Sequence, residues 1–230
     1  MILYVNGDSH AAGTDIHLED FFDQHQTKIN NLKKSFGYLL AEKLGYKFVS
    51  DAEAGASNDR IYRTTKQYLE KNSQNVFVLI GWSTTDRKEF LINNKYQSFA
   101  PGFRTNDPVL LKEFKKYMLS LDYDTLIKQN HKWHKKIYNF HKELEEKNIP
   151  HLFFNTYGVF NNDDDPSYDK IHYDWNQKMI GAYNEDETYY GWLKNKGHKT
   201  VRKDNYHYGS DAHQHWAERL HKWLTQHQMV

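Results

Sequence analysis

Three side chains near the two ends of the chain have the chemistry of a hydrolytic triad. Ser9 closes the segment Gly7-Asp8-Ser9 after the first apolar run, and Asp204 and His207 lie three residues apart ahead of the last helical pattern. A serine hydroxyl is a weak nucleophile at neutral pH, so it needs an imidazole to take its proton and a carboxylate to orient that imidazole. The sequence therefore predicts Ser9 as nucleophile, His207 as general base and Asp204 as orienting carboxylate.

Both segments also have a plain structural interpretation. Gly-Asp-Ser is a common turn tripeptide, and a chain with 14 histidines is expected to contain one Asp-x-x-His by chance. The order and the position of the two segments favour the catalytic interpretation over either segment taken alone.

Composition limits the class of protein. The 230 residues are 38% hydrophobic, which is enough for one buried core, so we expect a single domain over 1–230. The net charge is +1 with both signs mixed, so no basic face for nucleic acid is expected. The absence of cysteine excludes disulfides, thiol catalysis and cysteine-based metal sites.

No targeting or cofactor motif stands out. The first ten residues do not have the pattern of a signal peptide, and no apolar run reaches the length of a membrane span. We therefore expect no membrane span and, by default, a cytoplasmic location. Glycine-rich nucleotide-binding patterns do not occur, so no cofactor is expected. The oligomeric state is left open.

Apolar runs alternate with helical patterns along the chain, which predicts a three-layer α/β/α sandwich around a mostly parallel sheet. Strands are expected at 2–6, 47–50, 75–80 and 151–154. The run at 75–80 is apolar almost throughout, as in a parallel strand that is covered on both faces, so we expect it at the centre.

Helices are expected between these strands. The first ends at Gly45, the second begins at Ser57 or Asn58, and the third carries apolar residues over 133–144. The last begins near Ser210 or Asp211 and is expected to bury four side chains: Trp216, Leu220, Trp223 and Leu224.

Two segments do not fit the repeating unit and are interpreted as insertions, at about 84–127 and 159–203. Both come after carboxyl ends of strands, where open α/β sheets bind ligands, so both are expected to build a substrate pocket. The second contains aromatic residues that either stack on sugar rings or form a local core: Tyr183, Tyr189, Tyr190 and Trp192.

The order of these features resembles the SGNH hydrolases, also called the GDSL-type esterases and lipases. Gly7-Asp8-Ser9 matches the first block of that family, Gly55 matches the second, and Asp204-x-x-His207 matches the fourth. His213-x-x-Trp216-Ala217 is similar to the start of the last helix in that family. The resemblance implies a flavodoxin-like α/β/α fold and a serine esterase, in which the N–H groups of Ser9 and Gly55 bind the oxyanion.

The third block departs from the family. The chain reads Gly81-Trp82-Ser83-Thr84-Thr85-Asp86-Arg87, so Ser83 stands where the family has an asparagine that donates to the oxyanion. Three explanations are open: the hydroxyl of Ser83 or Thr84 donates, Asn58 replaces the missing amide, or the site is weak or inactive.

Asp8, Trp82 and Arg87 are candidate substrate-binding residues at the same edge of the sheet. Arg87 can bind a carboxylate or phosphate of a substrate, or form a plain surface ion pair with Glu89.

Metal binding has little support in the sequence. His131-x-x-His134 is interpreted as a solvated helix face and Asp163-Asp164-Asp165 as a polar turn, because neither has the flanking ligands of a known metal motif. No metal is expected.

The leading hypothesis is a serine esterase that works through an acyl-enzyme on a small acyl group, such as acetyl, carried by a sugar or another polar alcohol. Acyl transfer to an acceptor other than water uses the same residues. The alternative is a weak or inactive protein of this fold that binds carbohydrate or has a structural role.

Overall fold

A computed structural model of the chain describes residues 1–16, 24–160, 171–203 and 205–230. Seven strands occur in this part: β1 (Ile2–Asn6), β2 (Lys47–Ser50), β3 (Val76–Trp82), β4 (Lys88–Ile92), β5 (Lys95–Phe99), β6 (His151–Asn155) and β7 (Met179–Ile180). Five of them form one parallel sheet in the order β2-β1-β3-β6-β7, and β4 and β5 form an antiparallel hairpin.

Seven helices accompany the strands in the described residues. They are α1 (Gln24–Leu32), α2 (Phe36–Leu44), α3 (Asn58–Lys71), α4 (Pro108–Leu119), α5 (Tyr123–Glu146), α6 (Tyr189–Asn195) and α7 (Ser210–Gln226). A 3₁₀ turn, Glu185–Glu187, precedes α6. The strand order is that of flavodoxin-like sheets. The predicted α/β/α architecture with a mostly parallel sheet is confirmed.

The two faces of the sheet bury separate cores. Alternate residues of β1, β3 and β6 pack against α2 and α7 on one face, and the others pack against α3 and α5 on the opposite face. All seven residues of β3 are buried, and this strand is the third of five in the sheet. The prediction of a central strand covered on both faces is therefore confirmed.

Local signals begin and end the helices where the sequence predicts. The Ser57 hydroxyl accepts a hydrogen bond from Arg60 N at the start of α3. Gly45 ends α2 with a φ of 67°, a left-handed conformation in which glycine has no steric penalty. In α7, Trp216, Leu220 and Leu224 are buried as predicted, but Trp223 is only partly buried because its indole N–H donates to Gln177 O at 3.0 Å near the surface.

The hairpin β4–β5 and the strand β7 were not predicted, and neither were the helices α1, α4 and α6. The hairpin β4–β5 turns at Asn93 and Asn94, whose φ angles of 50° and 60° suit the tight turns that join antiparallel strands. Strand β7 has two residues, Met179 and Ile180, which pair with Phe153 and Phe154 of β6. The hairpin and α4 lie within the segment 84–127, and β7 and α6 lie within 159–203.

None of the described helices has the length and the apolar character needed to cross a membrane.

Five histidines of the described residues are buried inside this fold: His10, His134, His141, His151 and His213. Burial lowers the pKa of all five, to about 4 for His10, His134 and His151 and to about 3 for His213. His213 Nδ1 accepts from Phe36 N at 3.2 Å, a hydrogen bond that only the unprotonated nitrogen can make. The folded protein therefore holds these rings uncharged.

We expect the protein to lose stability as the pH falls from about 6.5 towards 4. A histidine in the unfolded chain has a pKa of about 6.5, so the unfolded state binds protons over this range before the folded state does. Each of the four histidines whose pKa falls to about 4 or about 3 should remove about 1–2 kcal/mol between pH 7 and pH 5. Urea unfolding at a series of pH values measures the effect, and His213→Gln should show a shallower dependence. A flat profile from pH 7 to pH 5 would contradict the neutral burial of these rings.

Candidate active site

Ser9 is placed by the carboxyl end of β1. Gly7 lies so close to β3 that a Cβ at this position would be 2.9 Å from Gly81 O, so a side chain here would clash with the backbone. Beyond Gly7 the chain enters a compact turn, in which Ala12 N donates to Asp8 O at 3.0 Å and Thr14 N donates to Ser9 O at 2.9 Å. These hydrogen bonds fix the backbone on both sides of Ser9.

Asp8 is fully buried and joins three parts of the site. Its Oδ1 accepts from His10 N at 3.0 Å, and its Oδ2 accepts from Ser83 Oγ at 3.0 Å and from Arg87 Nη1 at 3.3 Å. Because protein donors occupy both oxygens, Asp8 has a role inside the fold in place of the substrate contact expected from the sequence. Arg87 pairs with Asp8, and Glu89 pairs with Arg63, so the alternative Arg87–Glu89 ion pair is not formed.

The third block is held by Asn58. Asn58 Oδ1 accepts from Ser83 N at 2.8 Å, and Asn58 Nδ2 donates to Ser83 O at 2.9 Å. The Ser83 hydroxyl donates to Asp8, so both hydrogen-bond donors of Ser83 are engaged within the fold. Asn58, at 1% exposure, therefore braces the loop after β3.

Gly55 lies on the loop between β2 and α3. Its φ of 77° is a left-handed conformation that favours glycine, although a Cβ there would meet no other atom within 4 Å. Glu53 N donates to Gly7 O at 3.1 Å, so this loop is fastened to the chain two residues before Ser9. The loop that carries Gly55 therefore lies beside the start of the turn that carries Ser9.

His207 is oriented by a carboxylate that the sequence did not indicate. His207 Nδ1 and Asp15 Oδ2 are 2.8 Å apart, and Asn205 Nδ2 donates to the same oxygen at 3.3 Å. A carboxylate only accepts hydrogen bonds, so Nδ1 carries the proton and Nε2 is the acceptor in the neutral ring. Asp15 has a φ of 63°, which is uncommon for a residue other than glycine. Asp204 lies outside the described residues.

A second histidine packs beside His207. The ring of His10 lies 5.3 Å from the ring of His207, centroid to centroid, and contacts Tyr157 at 5.2 Å and Tyr189 at 5.1 Å. Burial raises the pKa values of Tyr157 and Tyr189, as it lowers that of His10. This wall beside His207 is therefore uncharged at neutral pH.

The aromatic residues of the second predicted insertion lie mainly in packed positions. Tyr189 is fully buried, Tyr190 stacks on Tyr157 at 4.7 Å, and Trp192 packs against Trp216. Tyr183 OH accepts from Tyr173 N at 2.7 Å. These contacts correspond to a local core, the second of the two interpretations of these aromatic residues.

Two cavities flank the site. The first, of about 400 Å³, is lined by residues that include Trp82, Ser83, Ile127 and Phe160. The second, of about 600 Å³, lies between the Gly55 loop and the hairpin β4–β5, and its lining includes Arg63 and Tyr96. Trp82 is 1% exposed, so it can meet a ligand only from within the first cavity.

Within the part of the chain that the structure describes, no group of three histidine or carboxylate side chains is placed to hold a metal ion. His134 is 2% exposed, because its ring stacks on Phe160 at 4.5 Å and its Nε2 lies 2.9 Å from Tyr183 OH. The interpretation of this residue as part of a solvated helix face was wrong. The predicted turn at Asp163-Asp164-Asp165 lies outside the described residues.

Comparison with known families identifies one match. The model of a family of unknown function, DUF6071, matches residues 19–138, which is 120 of the 230 residues. No curated protein matches the chain in sequence.

Comparison with solved structures finds several esterases. The psychrotrophic esterase EstA from Pseudoalteromonas sp. is 11% identical with a TM-score of 0.49, over 98% of this chain and 97% of that chain. The acetyl xylan esterase AlAXEase is 14% identical with a TM-score of 0.45, and the match covers 96% of this chain and 98% of that chain. A carbohydrate esterase with divergent catalytic and non-catalytic binding functions is 15% identical with a TM-score of 0.46, and the match covers 98% of this chain and 68% of that chain. With TM-scores below 0.5, these likenesses assign neither a reaction nor a site residue to this chain.

The pairing of Asp8 with Arg87 gives a prediction for stability. Arg87→Met should lower the free energy of unfolding by about 3–5 kcal/mol, because it leaves the buried carboxylate of Asp8 without its cation. Arg60→Met is a matched control, since the partner of Arg60, Glu53, is 53% exposed, and should lose only about 1 kcal/mol.

Chemical denaturation measures both variants. Adding Asp8→Asn to Arg87→Met should restore part of the lost stability, because the uncompensated charge is then removed. Equal losses of unfolding free energy in Arg87→Met and Arg60→Met would contradict a larger contribution of the buried Asp8–Arg87 ion pair to stability.

Proposed function

The chain belongs to the DUF6071 family, whose function is unknown, and we propose from the chemistry of its site that it is a serine esterase. The observation that carries the proposal is the hydrogen bond of 2.8 Å between His207 Nδ1 and Asp15 Oδ2, on the turn that also carries Ser9. A carboxylate on Nδ1 leaves Nε2 as the proton acceptor, which is the state that a general base requires.

The proposed reaction has two steps. Ser9 Oγ forms a bond to the ester carbonyl carbon as its proton passes to His207 Nε2, and the carbonyl oxygen takes the electron pair. The C–O bond to the alcohol then breaks, the alcohol leaves with the proton from His207, and an acyl-Ser9 ester remains. Water attacks this ester in the same way, giving the free acid and restoring the Ser9 hydroxyl.

The oxyanion is held in this proposal by the backbone N–H groups of Ser9 and Gly55. Ser83 and Asn58 hydrogen-bond each other and Ser83 also binds Asp8, so we do not assign either of them to the oxyanion. An oxyanion hole that lacks one side-chain donor is expected to turn over about a hundredfold to a thousandfold more slowly than one that has it. The proposal is therefore a slow esterase with two backbone donors.

The proposed substrate is an ester of a polar alcohol, such as a sugar, with a short acyl group. The cavity of about 600 Å³ beside Gly55 supports a polar substrate, because its lining offers charged and aromatic groups together. Arg63 Cζ lies 3.9 Å from the centre of the Tyr96 ring, and Arg63 is paired with Glu89. A sugar can stack on such a ring and hydrogen-bond to such a pair.

Replacing the proposed nucleophile tests the reaction directly. Ser9→Ala should lower the hydrolysis of 4-nitrophenyl acetate and butyrate by at least about a thousandfold, because no acyl-enzyme can form. Initial rates over a range of ester concentrations measure the change, and a fluorophosphonate should label Ser9 in the wild type. Ser120→Ala, at the exposed end of α4, is the matched control and should keep the wild-type rate.

Equal, inert behaviour of the wild type and Ser9→Ala, with no labelling of Ser9, would contradict the esterase. Glycan-binding assays would then test the carbohydrate-binding alternative.

The role of Asp15 is testable separately. We propose that Asp15 is a positioning residue for His207, and Asp15→Asn should lower kcat about a hundredfold to ten-thousandfold with little change in KM, because an amide permits the wrong tautomer. The same change should remove the downfield proton resonance of His207 Nδ1 from the NMR spectrum.

Asp204→Asn is the matched variant, since Asp204 is the carboxylate that the family resemblance implies. If Asp15 holds the role, Asp204→Asn should change kcat only a few-fold. A large loss in Asp204→Asn, with Asp15→Asn near the wild type, would return the role to Asp204.

A further inference from the structure

The cavity of about 400 Å³ at the carboxyl ends of β3 and β6 has the properties of a small-molecule site. Its walls include Trp82 at the end of β3, Val159 and Phe160 after β6, and Ile127 and Ile137 from α5. This volume and a lining that combines apolar side chains with polar ones, such as Asp86, Asn130 and Asn155, are typical of ligand pockets.

A hydrogen bond links the wall of the cavity to the turn that carries the proposed nucleophile. Ser83 forms part of the wall, and its hydroxyl donates to Asp8 Oδ2 at 3.0 Å. Asp8 directly precedes Ser9 in the chain, so one hydrogen bond separates the cavity wall from the turn that carries the nucleophile.

The cavity and His207 lie on opposite sides of the sheet. Trp82, Ile137 and Phe160 belong to the core that α3 and α5 cover. The ring of His207 packs beside that of His10, which contacts Tyr189, and Tyr189 belongs to the core that α2 and α7 cover. A substrate bound to Ser9 therefore has the general base on one side and this cavity on the other.

The direction of proton transfer decides which part of an ester faces the cavity. His207 returns its proton to the leaving alcohol, so the alcohol oxygen must lie on the side of His207. The acyl chain must then point away from His207. We infer that the cavity is the acyl pocket of this site and that it takes an apolar acyl group larger than acetyl. This inference rests on the proposed function.

The cavity volume gives an upper bound on the size of that group. A methylene group occupies about the volume of a water molecule in the liquid, about 30 Å³, so acyl chains of about four to eight carbons need about 120–240 Å³ and fit within the cavity of about 400 Å³. Three lining residues also have buried polar atoms without a partner among the described residues, Trp82 Nε1, Asp86 Oδ1 and Asn130 Oδ1. Buried polar atoms are nearly always hydrogen-bonded, which indicates a place for bound molecules more than a packing defect.

Chain length is the first measurement. The rates of the wild type with 4-nitrophenyl acetate, butyrate, hexanoate and octanoate should show kcat/KM rising about threefold to fourfold for each methylene up to hexanoate. An acyl group exposed to water would give a flat profile.

Gly158 offers a way to fill the cavity. It lines the cavity, and a Cβ at this position would meet no other atom within 4 Å, so a large side chain can enter without a clash at its base. Gly158→Trp should lower the ratio of the hexanoate rate to the acetate rate by more than tenfold. Leu119→Trp, on a side chain that is 88% exposed in α4, is the matched control and should keep the wild-type profile.

Ile127→Ala tests the same cavity by enlarging it, whereas Gly158→Trp fills it. Removing the Ile127 side chain enlarges the cavity, so the preferred ester should shift towards octanoate. A flat chain-length profile in the wild type that neither cavity variant alters, with Ser9 still required, would overturn the acyl pocket and leave the esterase in place.

An absence of ester cleavage would separate the proposed esterase activity from the proposed apolar ligand site. If no ester is cleaved, the esterase fails, and calorimetry with hexanamide then tests the cavity by itself. Binding by the wild type that Gly158→Trp loses by more than tenfold would support an apolar ligand site there. Equal affinities of the two proteins for hexanamide, or no binding by the wild type, would overturn it.

Discussion

Asp8 is fully buried, and a carboxylate in the interior is stable only where hydrogen-bond donors and a cation surround it. Here the donors come from separate parts of the chain: the N–H of His10, the hydroxyl of Ser83 and the guanidinium of Arg87. The carboxylate therefore holds the turn after β1 against the loop after β3. The position of Ser9 depends on this contact, because Ser9 lies between Asp8 and His10.

His10 affects the electrostatics of the site through its burial. Its pKa of about 4 keeps the ring uncharged at neutral pH, although the ring lies 5.3 Å from that of His207. In the proposed reaction His207 gains a proton, and the resulting positive charge faces the Asp15 carboxylate at 2.8 Å without an opposing charge on His10. The carboxylate of Asp15 thus stabilises the positive charge on His207, and the uncharged ring of His10 does not repel it.

The elements that could be predicted from the sequence are those that a short stretch of neighbouring residues indicates. The strand at β3 is a continuous apolar run, and Ser57 and Gly45 mark helix ends by their own side-chain and backbone chemistry. The hairpin β4–β5 was missed because Lys88–Ile92 alternates weakly between polar and apolar residues. The Asp15–His207 contact was not predictable, because it joins residues 192 apart in sequence and nothing in the local pattern around Asp15 indicates it.

The two faces of the sheet explain how one site can treat the two halves of an ester differently. On the side of α2 and α7 lie His207 and its carboxylate, which can move protons and tolerate the water that reaches half-exposed side chains. On the side of α5 lies a cavity with mainly apolar walls, where an acyl chain would leave water. Since α5 and the segments after β3 and β6 line that cavity, changes there can alter acyl preference without moving the carboxylate that orients His207. The proposed chemistry and the proposed specificity thus depend on separate sets of residues, which the hydrogen bond between Ser83 and Asp8 links.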